Sequence, residues 1–95
     1  MVEIIWSAKS LKDLQEIVAF IAKNSPMTAE IFRKRIIKAT KRLEIFPLSG
    51  RIVPGKDDPS LREIIYGNYR IAYDYSATSV EILTVHNASR RFFLS

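Results

Sequence analysis

The sequence predicts an α+β domain with the element order β-α-α-β-β-β, in which a helical hairpin packs on one face of a small, mostly antiparallel sheet. Two observations indicate this fold. Apolar residues recur at helical spacing on either side of a break at residues 24–26, and short β-branched and aromatic runs separated by turn residues fill positions 61–86. A chain of 95 residues has little room for a second core, so residues 1–95 are assigned to a single domain.

The N-terminal part predicts one strand and a first helix. The apolar run VEIIW at residues 2–6 indicates the strand. Either Ser7 or Ser10 is suited to cap the helix that follows, because Ser10 and Asp13 resemble a capping box with the shorter acid. This helix is expected to end near residues 23–24 and to bury one face, formed by Leu11, Leu14, Ile17, Val18 and Ile21.

A second helix is predicted to begin at Ser25 and Pro26, with serine as the N-cap and proline at the first helical position. It should run to about Phe46, because Pro47 does not continue a helix. The short link between the helices predicts an antiparallel hairpin. The buried stripe of the second helix is expected to contain Ala29, Phe32, Ile36, Ala39, Leu43 and Phe46, and residues 47–60 to form a long connection.

The C-terminal third predicts a β meander. The Gly67-Asn68 link between Leu61–Tyr66 and Tyr69–Tyr75 is typical of a hairpin turn with positive φ. The expected pairs are Tyr66 with Tyr69, Ile65 with Arg70 and Ile64 with Ile71. Alternation then gives one face Arg62, Ile64, Tyr66, Tyr69, Ile71, Tyr73 and Tyr75, and the other face Glu63, Ile65, Arg70, Ala72 and Asp74. Residues 80–86 predict the last strand, with Tyr75 opposite Val80, Arg70 opposite Val85 and His86 opposite Tyr69.

Composition excludes several classes of site. The sequence has no cysteine, which excludes disulfides and thiolate metal sites, and its single histidine argues against an all-protein transition-metal site, so no cofactor is expected. No apolar run approaches the length of a membrane span, and no signal peptide precedes Trp6, so a cytoplasmic protein without membrane association is expected. The net charge of +5 favours nucleic acid, an acidic protein partner or simple solubility, and does not distinguish them.

Five motifs in order resemble one family across nearly the whole chain. They are W-S-x-x-x-x-x-D-L at residues 6–14, S-P-x-x-A at 25–29, F-P-x-x-G-R-x-V-P at 46–54, L-R-E-I-I-x-G-N-Y-R-I-x-Y at 61–73 and V-E-I-L-x-V-x-x-x-x-R-R at 80–91. The chain thereby resembles the RelE/ParE superfamily of toxins from type II toxin–antitoxin systems. The helical hairpin and the third motif favour the ParE-like, plasmid-stabilisation type.

The resemblance implies a toxin that is neutralised by a cognate antitoxin, whose C-terminal segment wraps it in a hetero-oligomer. ParE-like members inhibit DNA gyrase, and RelE-like members cleave mRNA on the ribosome without a metal ion. The leading hypothesis is growth inhibition by binding gyrase. The alternatives are a ribosome-dependent mRNA endonuclease and a degenerate toxin, or basic binding module, that only complexes its antitoxin.

A nuclease of this family needs cations for the phosphorane-like charge and groups that move protons. The resemblance gives the first role to Arg70 and to Arg90 (or Arg91 beside it), with Arg62 the basic residue of the preceding strand. His86 has an ordinary pKa suited to acid–base chemistry, although a half-buried packing role is the commoner one for such a histidine.

Two departures from the nuclease pattern count against RNA cleavage. Alternation places Glu63 on the face of Arg70, where an ion pair between them is expected and a carboxylate would repel phosphate. The C-terminal tyrosine of several nuclease members is absent, and Phe92 and Phe93 lie nearby instead.

The second helix also carries features that suggest a partner. Its cations are either a solvated face or a surface for rRNA, gyrase or an acidic antitoxin segment: Arg33, Lys34, Arg35, Lys38, Lys41 and Arg42. Ile31, Ile37 and Ile45 lie off the buried stripe, which indicates a protein partner on part of the helix. The four tyrosines, Tyr66, Tyr69, Tyr73 and Tyr75, are expected to pack in the core rather than to stack on bases.

Overall fold

A computed structural model of the chain describes residues 1–89. Two helices pack on one face of a five-stranded mixed sheet with the strand order β1-β5-β4-β3-β2, which confirms the predicted α+β architecture. The elements are β1 (Glu3–Trp6), α1 (Ala8–Ala22), α2 (Pro26–Lys41), a 3-10 turn (Arg42–Glu44), β2 (Arg51–Ile52), β3 (Leu61–Tyr66), β4 (Tyr69–Tyr75) and β5 (Ser79–Asn87).

Serine caps begin both helices. The Ser7 hydroxyl accepts a hydrogen bond from the Ser10 amide at 3.0 Å, which makes Ser7 the N-cap of α1. The Ser10 side chain is instead buried and donates to the Ser7 carbonyl. At α2, Ser25 accepts from the Thr28 amide at 3.1 Å, and proline occupies the first turn as predicted.

The end of α2 differs from the prediction. The α-helix stops at Lys41, tightens into the 3-10 turn, and leaves Phe46 58% exposed rather than buried. The residue before a proline is disfavoured in the α region, and 3-10 bonding satisfies the last carbonyls of a helix. Leu11, which the pattern places on the buried face of α1, is also 46% exposed.

The β3–β4 hairpin has the predicted register. Tyr66 lies opposite Tyr69 and Ile65 opposite Arg70. Gly67 adopts a φ of +55°, the left-handed conformation that a two-residue turn of this kind requires and that glycine adopts without steric cost.

The β4–β5 pair begins in the predicted register and then shifts. Tyr75 pairs with Val80, but an irregularity between Ala72 and Tyr73 makes Leu83 an extra residue in β5. A bulge of this kind displaces every later pair by one residue. The predicted pairs Arg70–Val85 and His86–Tyr69 are therefore wrong. The pairs in the structure are Ala72 with Thr84, Ile71 with Val85, Arg70 with His86 and Tyr69 with Asn87.

Two different elements supply hydrogen-bond partners to the outer edge of β5. Before the bulge, β1 runs parallel to β5 and pairs with it from Ser79 to Ile82. Beyond the bulge, α1 takes over, because the Asp13 carboxylate accepts a hydrogen bond from the Val85 amide at 3.1 Å and Ser7 donates to the Leu83 carbonyl. Unpaired groups on an edge strand invite pairing with another chain, and these side chains occupy them.

The 47–60 connection is not a simple loop. It contains β2, a two-residue strand that pairs antiparallel with β3. The buried Tyr73 hydroxyl holds the start of the connection, accepting from the Gly50 amide at 3.0 Å and donating to the Pro47 carbonyl at 2.8 Å. A β-carbon added at Gly50 would lie 2.6 Å from that hydroxyl, so glycine is needed for this close approach.

The core lies between the helices and the sheet. Its buried members are Leu14, Phe32, Ile36, Leu43, Ile71, Tyr73, Val80, Ile82 and Val85. The other three tyrosines pack against it, and Phe32 makes edge-to-face contacts with the rings of Tyr66 and Tyr69. The prediction that the tyrosines serve packing is confirmed.

Candidate functional site

Arg70 and His86 lie side by side on the face of the sheet opposite the hydrophobic core, and α1 borders His86 at the edge of β5. They are direct cross-strand partners on β4 and β5, with Ile65 on the other side of Arg70. Arg70 alternates with Tyr69 and Ile71, which pack toward the helices, so its side chain takes the opposite face. Its guanidinium folds over the hairpin turn and donates to the Gly67 and Tyr69 carbonyls at 3.1 and 3.0 Å.

Glu63 does not pair with Arg70, and the predicted ion pair between them is wrong. The buried Glu63 carboxylate instead contacts the Arg51 guanidinium at 2.6 Å. Arg51 lies directly opposite Glu63 on β2, whereas Arg70 lies opposite Ile65, so the cross-strand partner prevails over the diagonal one. Carbonyl oxygens orient the Arg70 guanidinium without neutralising its charge, and Arg70 remains a cation on this face.

His86 is half-buried at the end of β5. Burial lowers the pKa of its imidazole, an effect that the nearby carboxylates oppose and the nearby cations reinforce. These charged neighbours come from three elements: Glu63, Asp13, Lys9 and Arg70. A lowered pKa makes the imidazole a weaker base than an exposed histidine and disfavours its protonated form.

Arg62 lies on the opposite face of the sheet from Arg70 and His86. It pairs with the buried Tyr73, and its guanidinium donates to the Pro59, Leu48 and Gly50 carbonyls at 2.8, 3.3 and 3.0 Å. Three backbone acceptors from one connection give Arg62 a role in holding that connection against the sheet. Arg90 and Arg91, the C-terminal cations of the predicted site, lie outside the described residues.

A cleft of about 330 Å³ opens beside His86, between α1 and the ends of β4 and β5. Lys9, Asp13 and Glu16 provide its polar wall, and Phe20 and Tyr69 are among its apolar lining. Lys9 and Asp13 form an ion pair at 2.9 Å. The sequence indicated Asp13 for a helix cap but did not predict its contact with β5. This contact depends on a bulge that the sequence pattern does not indicate.

The outward side of α2 is cationic and partly apolar. The lysines along it face away from the core, and Ile31 and Ile45 are 44% and 64% exposed. The prediction that these isoleucines lie off the buried stripe is confirmed. The one acidic residue of α2, Glu30, is paired with Arg33, which lowers the pKa of the carboxyl through their hydrogen bond.

Within residues 1–89, no cluster of three or more histidine or acidic side chains is arranged to hold a metal ion. Over the same span, no helix has the length and apolar character needed to cross a bilayer.

The chain matches known toxins along most of its length. The family model of the ParE toxin of type II toxin–antitoxin systems (parDE) matches residues 4–92. Y4kP, a candidate toxin of Sinorhizobium fredii, is 38% identical over 89 residues, covering 92% of this chain and 88% of its own. The toxin RelE2 of Caulobacter vibrioides is 29% identical over 91 residues, covering 95% and 99%.

The fold has a solved counterpart as well. A chain from the chromosomal ParDE toxin–antitoxin system of P. aeruginosa superposes with a TM-score of 0.74 at 19% identity, covering 92% of this chain and 96% of that one. The helical hairpin on a mixed sheet is thus shared, while the sequence match carries the family assignment. The chain belongs to the ParE toxin family of type II toxin–antitoxin systems, within the RelE/ParE superfamily.

Proposed function

We propose that this toxin inhibits growth by binding DNA gyrase, without cleaving RNA, and that a cognate antitoxin neutralises it. The observation that carries the proposal is the separation of the residues that a nuclease would bring together. Arg62 lies across the sheet from Arg70 and His86, with its guanidinium committed to backbone carbonyls. Arg51, which lies on the neighbouring strand β2, is paired with the buried Glu63.

Proton transfer is also poorly provided for among residues 1–89. The lowered pKa of His86 disfavours its protonated form, which counts against it as the acid that protonates a leaving oxygen. The tyrosine that several nuclease members carry near the C-terminus is absent from the sequence. Arg70 then supplies positive charge beside a histidine whose lowered pKa disfavours proton donation, which suits binding better than catalysis.

A supercoiling assay with purified gyrase and relaxed plasmid tests the proposal. The toxin is expected to abolish supercoiling or to leave linear DNA, and the effect should disappear when antitoxin is added. Arg70→Ala probes the sheet face, with Arg33→Ala as a matched control because Arg33 is already paired with Glu30 on α2. Gyrase that remains fully active at excess toxin would contradict the proposal.

Ribosome-dependent mRNA cleavage is the second candidate, and the adjacency of Arg70 and His86 favours it. Primer extension on ribosome-bound mRNA after induced expression should then show codon-aligned cuts, absent with Arg70→Ala. A protein that is inert in both assays yet binds its antitoxin would be the degenerate form. The antitoxin itself is sought in the neighbouring reading frame, by co-expression and co-purification with the full-length toxin.

A further inference from the structure

The outward side of α2 presents a continuous surface that the fold does not use. Ala29, Phe32, Ile36 and Thr40 of this helix are buried. At 3.6 residues per turn, the residues diametrically opposite them fall within an arc of about 80°. We call this surface the cationic helix face, and it consists of Met27, Ile31, Lys34, Lys38 and Lys41, all exposed.

Its charges repel one another. The residues three and four positions from Lys38 in both directions, its neighbours on the helix surface, are all cations: Lys34, Arg35, Lys41 and Arg42. None of these five takes part in an ion pair with another residue of the 1–89 span. Cations in the last turn complement the helix dipole, which accounts for Lys38 and Lys41 but not for Lys34 or Arg35.

The apolar members decide the class of partner. Met27 is 75% exposed and Ile31 is 44% exposed, both between or beside the lysines. Single-stranded nucleic acid is held by aromatic side chains that stack on bases, and the cationic helix face has none. Aliphatic side chains among cations instead match a protein surface that combines carboxylates with apolar groups.

We propose that the cationic helix face docks an acidic, partly apolar surface of the toxin's protein target, with carboxylates meeting Lys34, Lys38 and Lys41 and apolar groups covering Ile31. This inference rests on the proposed function, because gyrase is the target to which it commits. The sheet face with Arg70 and the cationic helix face are then separate surfaces of one toxin.

Two variants and two matched controls test the surface. Lys34→Gln/Lys38→Gln removes two charges from the cationic helix face, and Lys12→Gln/Lys23→Gln removes two from α1 and its C-cap. Ile31→Ala removes apolar area, and Leu11→Ala does the same at a residue of α1 that is 46% exposed. The readouts are the toxin concentration that half-inhibits supercoiling, binding to immobilised gyrase at two salt concentrations, and the thermal midpoint of the free toxin.

For Lys34→Gln/Lys38→Gln, we expect the toxin concentration that half-inhibits supercoiling to rise about tenfold, which corresponds to a loss of about 1.4 kcal/mol of binding free energy. Its binding to gyrase should also depend less on salt concentration. Ile31→Ala should also weaken inhibition. Both controls should match wild type within about twofold, because their substitutions lie outside the proposed interface, and a few interface residues carry most of the binding energy. The thermal midpoint of the lysine variant should not fall, because its substitution relieves repulsion.

Three outcomes overturn the inference. If wild-type toxin leaves gyrase active, the proposed function fails and the docking surface fails with it. If wild type inhibits and the lysine variant inhibits equally well, the surface is wrong while the proposed function stands. If Ile31→Ala is silent and the lysine variant loses binding to plasmid DNA alone in proportion to its lost inhibition, the partner of the face is nucleic acid rather than protein.

Discussion

Lys38→Gln should stabilise the folded toxin, even though it removes a positive charge from the last turn of α2. Lys38 has four like-charged neighbours at helical spacing. Each such pair destabilises a helix by about 0.2–0.5 kcal/mol, so the substitution relieves about 1–2 kcal/mol. Losing a cation from the last turn costs about 0.3–1 kcal/mol of dipole interaction. Lysine and glutamine have similar helix propensities, so the difference is a net gain of about 0 to 1.7 kcal/mol, centred on about 0.8 kcal/mol.

Urea unfolding of wild type and Lys38→Gln, each at about 0.01 M and 1 M salt, measures this gain. The Debye length falls from about 30 Å to about 3 Å between these conditions, so the gain should be present at low salt and nearly absent at high salt. Lys12→Gln serves as the control, because Lys12 lies 4.0 Å from Glu16 in an attractive pair and its loss should destabilise slightly.

Two results would refute the reasoning. If Lys38→Gln is less stable than wild type at low salt, the cations are not repelling one another in the folded state. If it gains stability equally at both salt concentrations, the effect has a cause other than charge. Either result would remove the physical argument that a partner, rather than the fold, accounts for the cationic helix face.

Three further predictions concern the fold around the site. Tyr73→Phe should lower the free energy of unfolding by about 1–3 kcal/mol, since it leaves the buried Gly50 amide without its acceptor, and urea unfolding against Tyr75→Phe checks this. Asp13→Ala should specifically speed hydrogen exchange of the Val85 amide, and unchanged exchange by NMR would contradict the edge contact. Burial lowers the pKa of His86 in the folded state, so the unfolded chain binds more protons as pH falls below 6.5. The contribution of His86 to stability is therefore present above pH 6.5 and is lost as pH falls below that value. His86→Gln should flatten this part of the curve of stability against pH.

Local signals in the sequence predicted most of the architecture. The Gly67-Asn68 turn set the β3–β4 register, because a two-residue link admits only one pairing. Ser25 and Pro26 marked the start of α2 for an equally local reason, a side-chain cap followed by a residue that needs no amide partner.

The partners of the candidate site could not be predicted in the same way. The bulge at Leu83 is one additional residue in an otherwise regular apolar strand, and nothing in the run VEILTVH distinguishes it. Arg51 belongs to a two-residue strand within a turn-rich connection, too short for an alternation pattern to indicate it. Both features change which side chains meet on the sheet, and so both errors fell on the site rather than on the fold.

The pairing of Glu63 with Arg51 changes the grounds for a binding function. Because Arg51 balances the charge of Glu63, Glu63 does not offset the positive charge of Arg70 and repels an approaching phosphate less. What argues against catalysis within residues 1–89 is poor provision for proton transfer, because burial lowers the pKa of His86 and disfavours its protonated form. The sequence also has no tyrosine after His86. A sheet face that offers charge without proton transfer still binds anions. If the proposed gyrase binding holds, Arg70→Ala should weaken target binding without the loss of a chemical step.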